Sequence, residues 1–277
     1  MFKKAIVLMI ISAFAFAILN VFVKSLNQFN VYQIVFFRSI GSLAFTIPFL
    51  LHHKISLFGK KRTLLVLRGI VGFVAMTLFF SSIKHLSMGS AVSIRYLSPI
   101  FAALFALVLL KEKIKYLQWV CFAIAFFGVL ILKGFDAQIN ELGLLYAMSS
   151  ALFTGLVFVI IRKIGNNDHP IVIVNYFMII AACLGGLFAI SEWNNPVGIE
   201  WIILLSLGVF GYFGQYYMTK AFLIGEVNQV GPLKYIEVIF TMLIGAIWLD
   251  EIYTFWSFIG VSLIIIGLTF NVIIKTK

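Results

Sequence analysis

The chain has 277 residues, 62% of them hydrophobic and only 11% charged, with a net charge of +11 and a mean hydropathy of +1.09. Soluble domains carry about 45–50% apolar and about 25% charged residues, so this composition excludes a cytosolic enzyme, a disordered chain and a nucleic-acid-binding protein. Cys121 and Cys183 lie apart in apolar runs, which leaves neither a disulfide framework nor a metal-ligand spacing.

A bilayer core takes about 20 mostly apolar residues per helix. Ten such runs follow one another, near 4–24, 31–51, 63–83, 88–110, 116–133, 141–162, 170–190, 199–219, 229–249 and 254–274. They are continuous rather than alternating, which argues for helices and against a β-barrel. The expected fold is an all-α integral membrane protein with ten transmembrane helices. The first run opens like a leader, with Lys3-Lys4 and then Ala15-Phe16-Ala17. Its apolar stretch continues through Ile18, Val21 and Val23 to Lys24, long enough to span. Arg68 interrupts the third run, and Pro99 lies in the fourth, one turn after Arg95. Proline supplies no N–H to the Arg95 carbonyl, so a kink is expected there. The breaks after the sixth and seventh runs carry turn residues, Gly165-Asn166-Asn167-Asp168-His169-Pro170 and Asn194-Asn195-Pro196.

Basic residues set orientation. With the N-terminus inside, fourteen of the 21 basic residues fall on inner segments. The outer connections carry only Lys24, Lys84 and Lys133. Both termini are therefore expected in the cytoplasm. The basic excess marks a membrane side, with no nucleic-acid partner implied.

The chain repeats itself. At an offset of 139, residues 69–128 meet 208–267 without a gap. Gly69, Gly72, Tyr96, Glu112 and Gly128 recur as Gly208, Gly211, Tyr235, Glu251 and Gly267, and Arg95 as the basic Lys234. At 138, Ser12-Ala13 meets Ser150-Ala151. Five spans per half is an odd number, so two halves, 1–135 and 139–277, would be inverted relative to each other. The loop Lys111-Glu112-Lys113 is basic, and its counterpart Asp250-Glu251-Ile252 has lost every lysine. Inverted halves can rock about a site at their interface, which is alternating access.

These residues resemble the drug/metabolite transporter superfamily, in its ten-helix EamA-type branch. The features that carry the resemblance are Pro99…Glu112…Gly128 and Lys234…Glu251…Gly260…Gly267. Asn20…Lys24, Phe36-Phe37-Arg38, Leu67-Arg68-Gly69 and Lys234-Tyr235-Ile236-Glu237 are similar to stretches in bacterial S-adenosylmethionine and riboflavin carriers. The second half has no proline at Val238, the counterpart of Pro99; its proline is Pro232. The resemblance implies a carrier and says little about cargo.

Ionisable groups at membrane depth are costly and mark function by default. Arg38, Arg68, Arg95, Lys234 and Glu237 are that set. Lys234 and Glu237, three apart, share a helix face and either neutralise each other or bind a charged solute. Arg68 reads as snorkelling toward the inner surface. In the eighth span the glycines 208, 211 and 214 suit close helix packing, while Tyr212, Gln215 and Tyr216 offer stacking and hydrogen bonds. Asn20 and Asn228-Gln229 add polar groups. The substrate-binding set expected is Asn20, Arg38, Arg95, Tyr96, Tyr212, Gln215, Tyr216, Lys234, Tyr235 and Glu237.

The expected function is a secondary transporter of a small polar or zwitterionic organic metabolite in a plasma membrane, the inner membrane of a bacterium. Its partners are that solute, the lipid bilayer and, where it self-associates, a second copy as a homodimer. No cofactor is expected, since there is no nucleotide-binding glycine loop. A polytopic membrane enzyme, a channel or a scaffold are the alternatives. His52, His53, His85 and His169 have no carboxylate at a catalytic spacing, so an enzyme is not expected.

Overall fold

The computed structural model describes residues 2–109, 115–135, 140–224 and 235–276. Among these residues it is helical, without strands. The α-helices are α1 (Phe2–Ser25), α2 (Val31–His52), α3 (Arg62–His85), α4 (Met88–Arg95), α5 (Ser98–Leu109) and α6 (Tyr116–Phe135). After them come α7 (Glu141–Ile164), α8 (Pro170–Ala189), α9 (Ile199–Ile224), α10 (Ile236–Trp248) and α11 (Phe255–Thr276). Without water to satisfy the backbone, an apolar run closes its own hydrogen bonds as a helix. Among the described residues, seven helical stretches are long and apolar enough to cross a membrane, counting α4 and α5 as one. Shorter apolar stretches, Tyr116–Ile131 in α6, Ile236–Trp248 as α10 and Phe255–Phe270 in α11, stand at the fifth, ninth and tenth expected runs.

Helix starts follow their capping residues. The Asn30 side chain accepts from Tyr32 N–H, Asn140 from Gly143 N–H and His169 from Ile171 N–H, with Pro170 opening α8. Gly165 ends α7 at φ +59°, a conformation that costs a residue without Cβ nothing.

The fourth run, expected as one kinked span, is two helices. Tyr96 and Leu97 turn between α4 and α5, and their N–H groups return to Val92 and Ile94. Pro99, at the second position of α5, has no N–H to carry the ladder back to Arg95, so the helix stops and restarts.

The main packing pairs are α1 with α9, α3 with α7, α2 with α8, α6 with α11, α2 with α9, α3 with α8, α1 with α10, and α5 with α7. Exchanging α1 with α7, α2 with α8, α3 with α9, α4–α5 with α10 and α6 with α11 returns the same pairs. Atomic contacts follow suit. The Ser12 hydroxyl donates to the Gly214 carbonyl at 2.7 Å, and Ser150 donates to Ala75 at 2.8 Å. A Cβ on Gly128 would lie 2.7 Å from the Gly260 carbonyl oxygen; one on Gly267 would lie 2.7 Å from that of Cys121. α2 and α9 touch backbone to backbone, with a Gly208 Cβ falling 2.3 Å from Gly41 Cα. Only glycine permits this approach.

The main core joins Leu19, Ile34, Phe80, Ile94, Tyr96, Phe177, Leu207 and Tyr235 from most of the helices. Large apolar side chains also cover the outside, among them Val7, Leu51, Val108, Phe127, Leu187 and Ile247. A soluble monomer rarely tolerates such a belt; a bilayer covers it.

Candidate functional site

The bundle has two chemically distinct ends. At one, Lys61 Nζ donates to the Lys163 carbonyl, and Lys60 and Lys61 N–H donate to Asp168 at 2.5 and 3.1 Å. At the other, Gln28 donates to Glu200, Asn30 to Glu192, and Lys84 Nζ to the Phe29 carbonyl.

The acidic end is fastened by Glu251, in the turn between α10 and α11. Both its oxygens accept from Met88 N–H, the first donor of α4, at 3.0 Å. A carboxylate on a helix N-terminus is held by the dipole as well as by the bonds. Tyr253 Oη donates to Oε2 at 2.5 Å, and Lys24 Nζ lies 3.8 Å from Oε1. Lys24 also donates to the Ile83 and Leu86 carbonyls at 2.7 and 2.5 Å. Burial first, then the bond to Glu251, holds the Tyr253 phenol protonated well above its ordinary range. Four chain segments meet at this knot.

In the middle, Tyr96 and Tyr235 stand edge to face, with ring centroids 5.4 Å apart and planes at 76°. Tyr96 Oη donates to Glu237 Oε2 at 2.5 Å, and Asn20 Nδ2 donates to Oε1 at 3.3 Å. Glu237 is only 2% exposed, so these charge-assisted bonds are what permits a buried carboxylate.

Beside it, three arginines lie along α3. Arg68 Nη1 sits 2.8 Å from where a Gly72 Cβ would be, and its guanidinium lies 4.0 Å over the Phe177 ring. Arg38 reaches the Met76 sulfur and faces Phe80 at 5.9 Å. Arg95 covers Phe79 at 4.0 Å. Arg38 and Arg68 are 5% and 6% exposed. Arg38 Nε and Arg68 Nε and Nη1 are buried without a hydrogen-bond partner among the described residues, and none of the three arginines makes an ion pair there. A buried unpaired ion costs several kcal/mol, and a cation–π contact returns about 2. The described protein groups therefore leave part of the cost standing.

A cavity of about 360 Å³ opens at the basic end between α2, α8 and α9. His53, His169 and Lys220 flank its mouth, Tyr212, Gln215 and Tyr216 line one wall, and Ser42 and Gly211 close its depth. Phe45, Tyr212 and Tyr216 stack in series, with planes 17° and 18° apart, and Lys220 Nζ sits 4.8 Å over Tyr216. Arg38 Nε and Ser42 Oγ both lie 3.3 Å from where a Gly211 Cβ would be. The floor of the cavity is thus next to the arginines.

The structure therefore divides the expected set. Asn20, Tyr96, Tyr235 and Glu237 come together at the centre, Arg38 and Arg95 beside them, and Tyr212, Gln215 and Tyr216 in the cavity wall. Lys234, Asn228 and Gln229 lie outside the described residues, as does Glu112. Arg68 does not snorkel; it turns inward along α3 because Gly72 leaves room. Sequence reading missed the Lys24–Glu251 knot and the pairing of Thr46 Oγ1 with Asn175 Oδ1 at 2.9 Å. Lys24 and Glu251 were legible as span-end charges of opposite sign, but 227 positions of separation hid their meeting.

A multi-pass bundle with buried charges at its centre and a cavity at one end is the architecture of a membrane transport protein. The sequence profile of the EamA-like transporter family matches residues 3–133 and again 141–273, and the chain belongs to that family. It is 29% identical to solute carrier family 35 member G1 of Homo sapiens, across 93% of this chain and 75% of that protein. It is 28% identical to the pseudopaline exporter CntI of Pseudomonas aeruginosa, across 96% and 92%. A solved crystal structure shares the fold at a TM-score of 0.71 and 19% identity, across 95% of this chain and 94% of its own. The protein is a transporter of small molecules and not an enzyme.

Proposed function

We propose that the protein is a secondary transporter that moves a small polar or zwitterionic organic metabolite across the plasma membrane by alternating access. In this reading ten spans form two inverted five-helix halves, 1–135 and 139–277, with both termini in the cytoplasm. The basic end is then the inner one. The observation that carries it is the recurrence of packing contacts at a constant offset. Ser12 on Gly214 has its counterpart in Ser150 on Ala75, and Gly128 on Gly260 in Gly267 on Cys121. Halves joined by equivalent contacts exchange roles at little energetic cost, as alternating access requires. The Glu251 knot closes the outer end while the cavity opens inward, so the arrangement reads as an inward-facing state. Tyr96, Tyr235, Asn20, Glu237, Arg38 and Arg95 would meet the solute at the centre, with Tyr212, Gln215 and Tyr216 along its path.

The test is counterflow in proteoliposomes. Unlabelled solute loaded inside should drive labelled solute inward from a panel of amino acids, organic acids and nucleosides. Ungated conductance with no counterflow would sink the carrier reading and favour a channel.

A further inference from the structure

We propose that Arg68, Arg38 and Arg95 form a ladder that holds an organic anion bearing two or more carboxylates. The inference rests on the transport reading above and names the class of solute.

Three observations carry it. First, the guanidiniums are spread rather than convergent. They rest against Gly72, Met76 and Phe79 of α3, positions one turn or less apart. At 1.5 Å per residue they cover about 10 Å along the helix. Carboxylates spaced along a carbon skeleton match such a row; a lone phosphate would need the three forks to aim at one point. The surfaces between them, Met76, Phe79, Phe80 and Phe177, are apolar and suit that skeleton. Second, buried N–H groups of Arg38 and Arg68 have no protein acceptor among the described residues. Arginine has no acceptor of its own, so the missing partner is an acceptor and, in a buried setting, an anion. Third, charge does not balance at the centre. Among the described residues, the carboxylate at the centre, Glu237, is engaged by Tyr96 and Asn20 and forms no ion pair with any of the three guanidiniums. Among the described residues the guanidiniums are left without a carboxylate partner. The cavity gives the route, since its floor at Ser42 and Gly211 adjoins Arg38 Nε.

The experiment is thermal unfolding of the purified full-length protein in detergent. The probes are glutarate and tricarballylate, with acetate, inorganic phosphate and glycine betaine alongside. Glutarate and tricarballylate should stabilise at millimolar concentration, with acetate and phosphate at least tenfold less potent. Arg38→Gln and Arg68→Gln should each weaken the response at least tenfold. Arg38→Lys, which keeps charge but loses the fork, should fall between. Equal stabilisation by phosphate, or no response of the wild-type protein to either polycarboxylate, overturns the inference even where the glutamine variants do not fold. Labelled glutarate counterflow separates the two readings. Stabilisation without flux keeps the ladder and strikes transport. Flux of neutral or zwitterionic solutes with no polycarboxylate response keeps transport and strikes the ladder.

Discussion

The Tyr96 hydroxyl donates to the Glu237 carboxylate at 2.5 Å across 141 positions of sequence. It thereby ties the turn between α4 and α5 to the first turn of α10. The second partner of Glu237, Asn20, is longer at 3.3 Å, so Tyr96 carries most of the load. Removing the hydroxyl in Tyr96→Phe should cost about 1.5–3 kcal/mol, the range for hydrogen bonds to charged groups. Glu237→Gln should recover part of that loss in the same background, because the two side chains share one interaction. A double-mutant cycle on unfolding in detergent reads both numbers. Additive losses would show that the bond is incidental.

The Glu251 knot predicts a change in access. Glu251→Ala removes the acceptor of Met88 N–H and Tyr253 Oη and the partner of Lys24. With about 1.4 kcal/mol per factor of ten, losing bonds of this kind should raise exposure of the α4 start by tenfold or more. Ser90, 1% exposed, is a suitable reporter. A Ser90→Cys substitution in a background with Cys121 and Cys183 replaced by serine should react faster with a polar thiol reagent once Glu251 is gone. Raising the pH toward 10 should leave the Tyr253 bond to Glu251 in place. The Tyr253 pKa is raised above its ordinary 10.0, so its donor is kept up to that value and lost only as pH climbs through the higher one.

Close helix approach is testable at Gly208. An added methyl would strike the backbone of Gly41, and backbone cannot rotate aside. Gly208→Ala should cost about 1–3 kcal/mol, as overpacking does. Gly186→Ala is the comparison, since its Cβ would meet only the Phe36 ring at 3.0 Å. That ring can turn, and alanine improves a helix interior by up to about 1 kcal/mol. Equal melting temperatures for the two variants would contradict the close contact.

Asp168 governs the link between α2 and α3 from the start of α8. It accepts from both Lys60 and Lys61 N–H, and it is 8% exposed. Asp168→Ala should release this link, and trypsin should then cut after Lys60 or Lys61 several times faster in the folded protein. Unaltered cleavage would mean that other contacts hold the loop. In sealed vesicles of known orientation, the same cleavage reports which membrane face carries the basic end.

Much of the fold was legible because apolar runs have one low-energy form in a bilayer. Composition and run length gave the membrane class, and turn residues such as Asp168-His169-Pro170 marked a break between spans. The repeat that the family profile matches twice was visible in the recurrence of glycines, tyrosines and loop glutamates. Sequence also placed Arg38, Arg95 and Glu237 among the costly charges. These are local or periodic properties, written in neighbouring residues.

Only the tertiary structure decided which of those charges are paired. The i, i+3 spacing suggested Lys234 for Glu237, and Lys234 lies outside the described residues; among those described, packing brings Tyr96 and Asn20 to Glu237 from helices far away in sequence. Spacing to Arg62 suggested that Arg68 snorkels; the room left by Gly72 and the ring of Phe177 turn it inward. Lys24 and Glu251 were unremarkable ends of spans until α1, α3, α4 and the turn after α10 met. The physical reason is common to all three. A charge in a low-dielectric bundle takes whichever partner the helix packing brings within reach, and crossing helices bring residues together without regard to their distance along the chain.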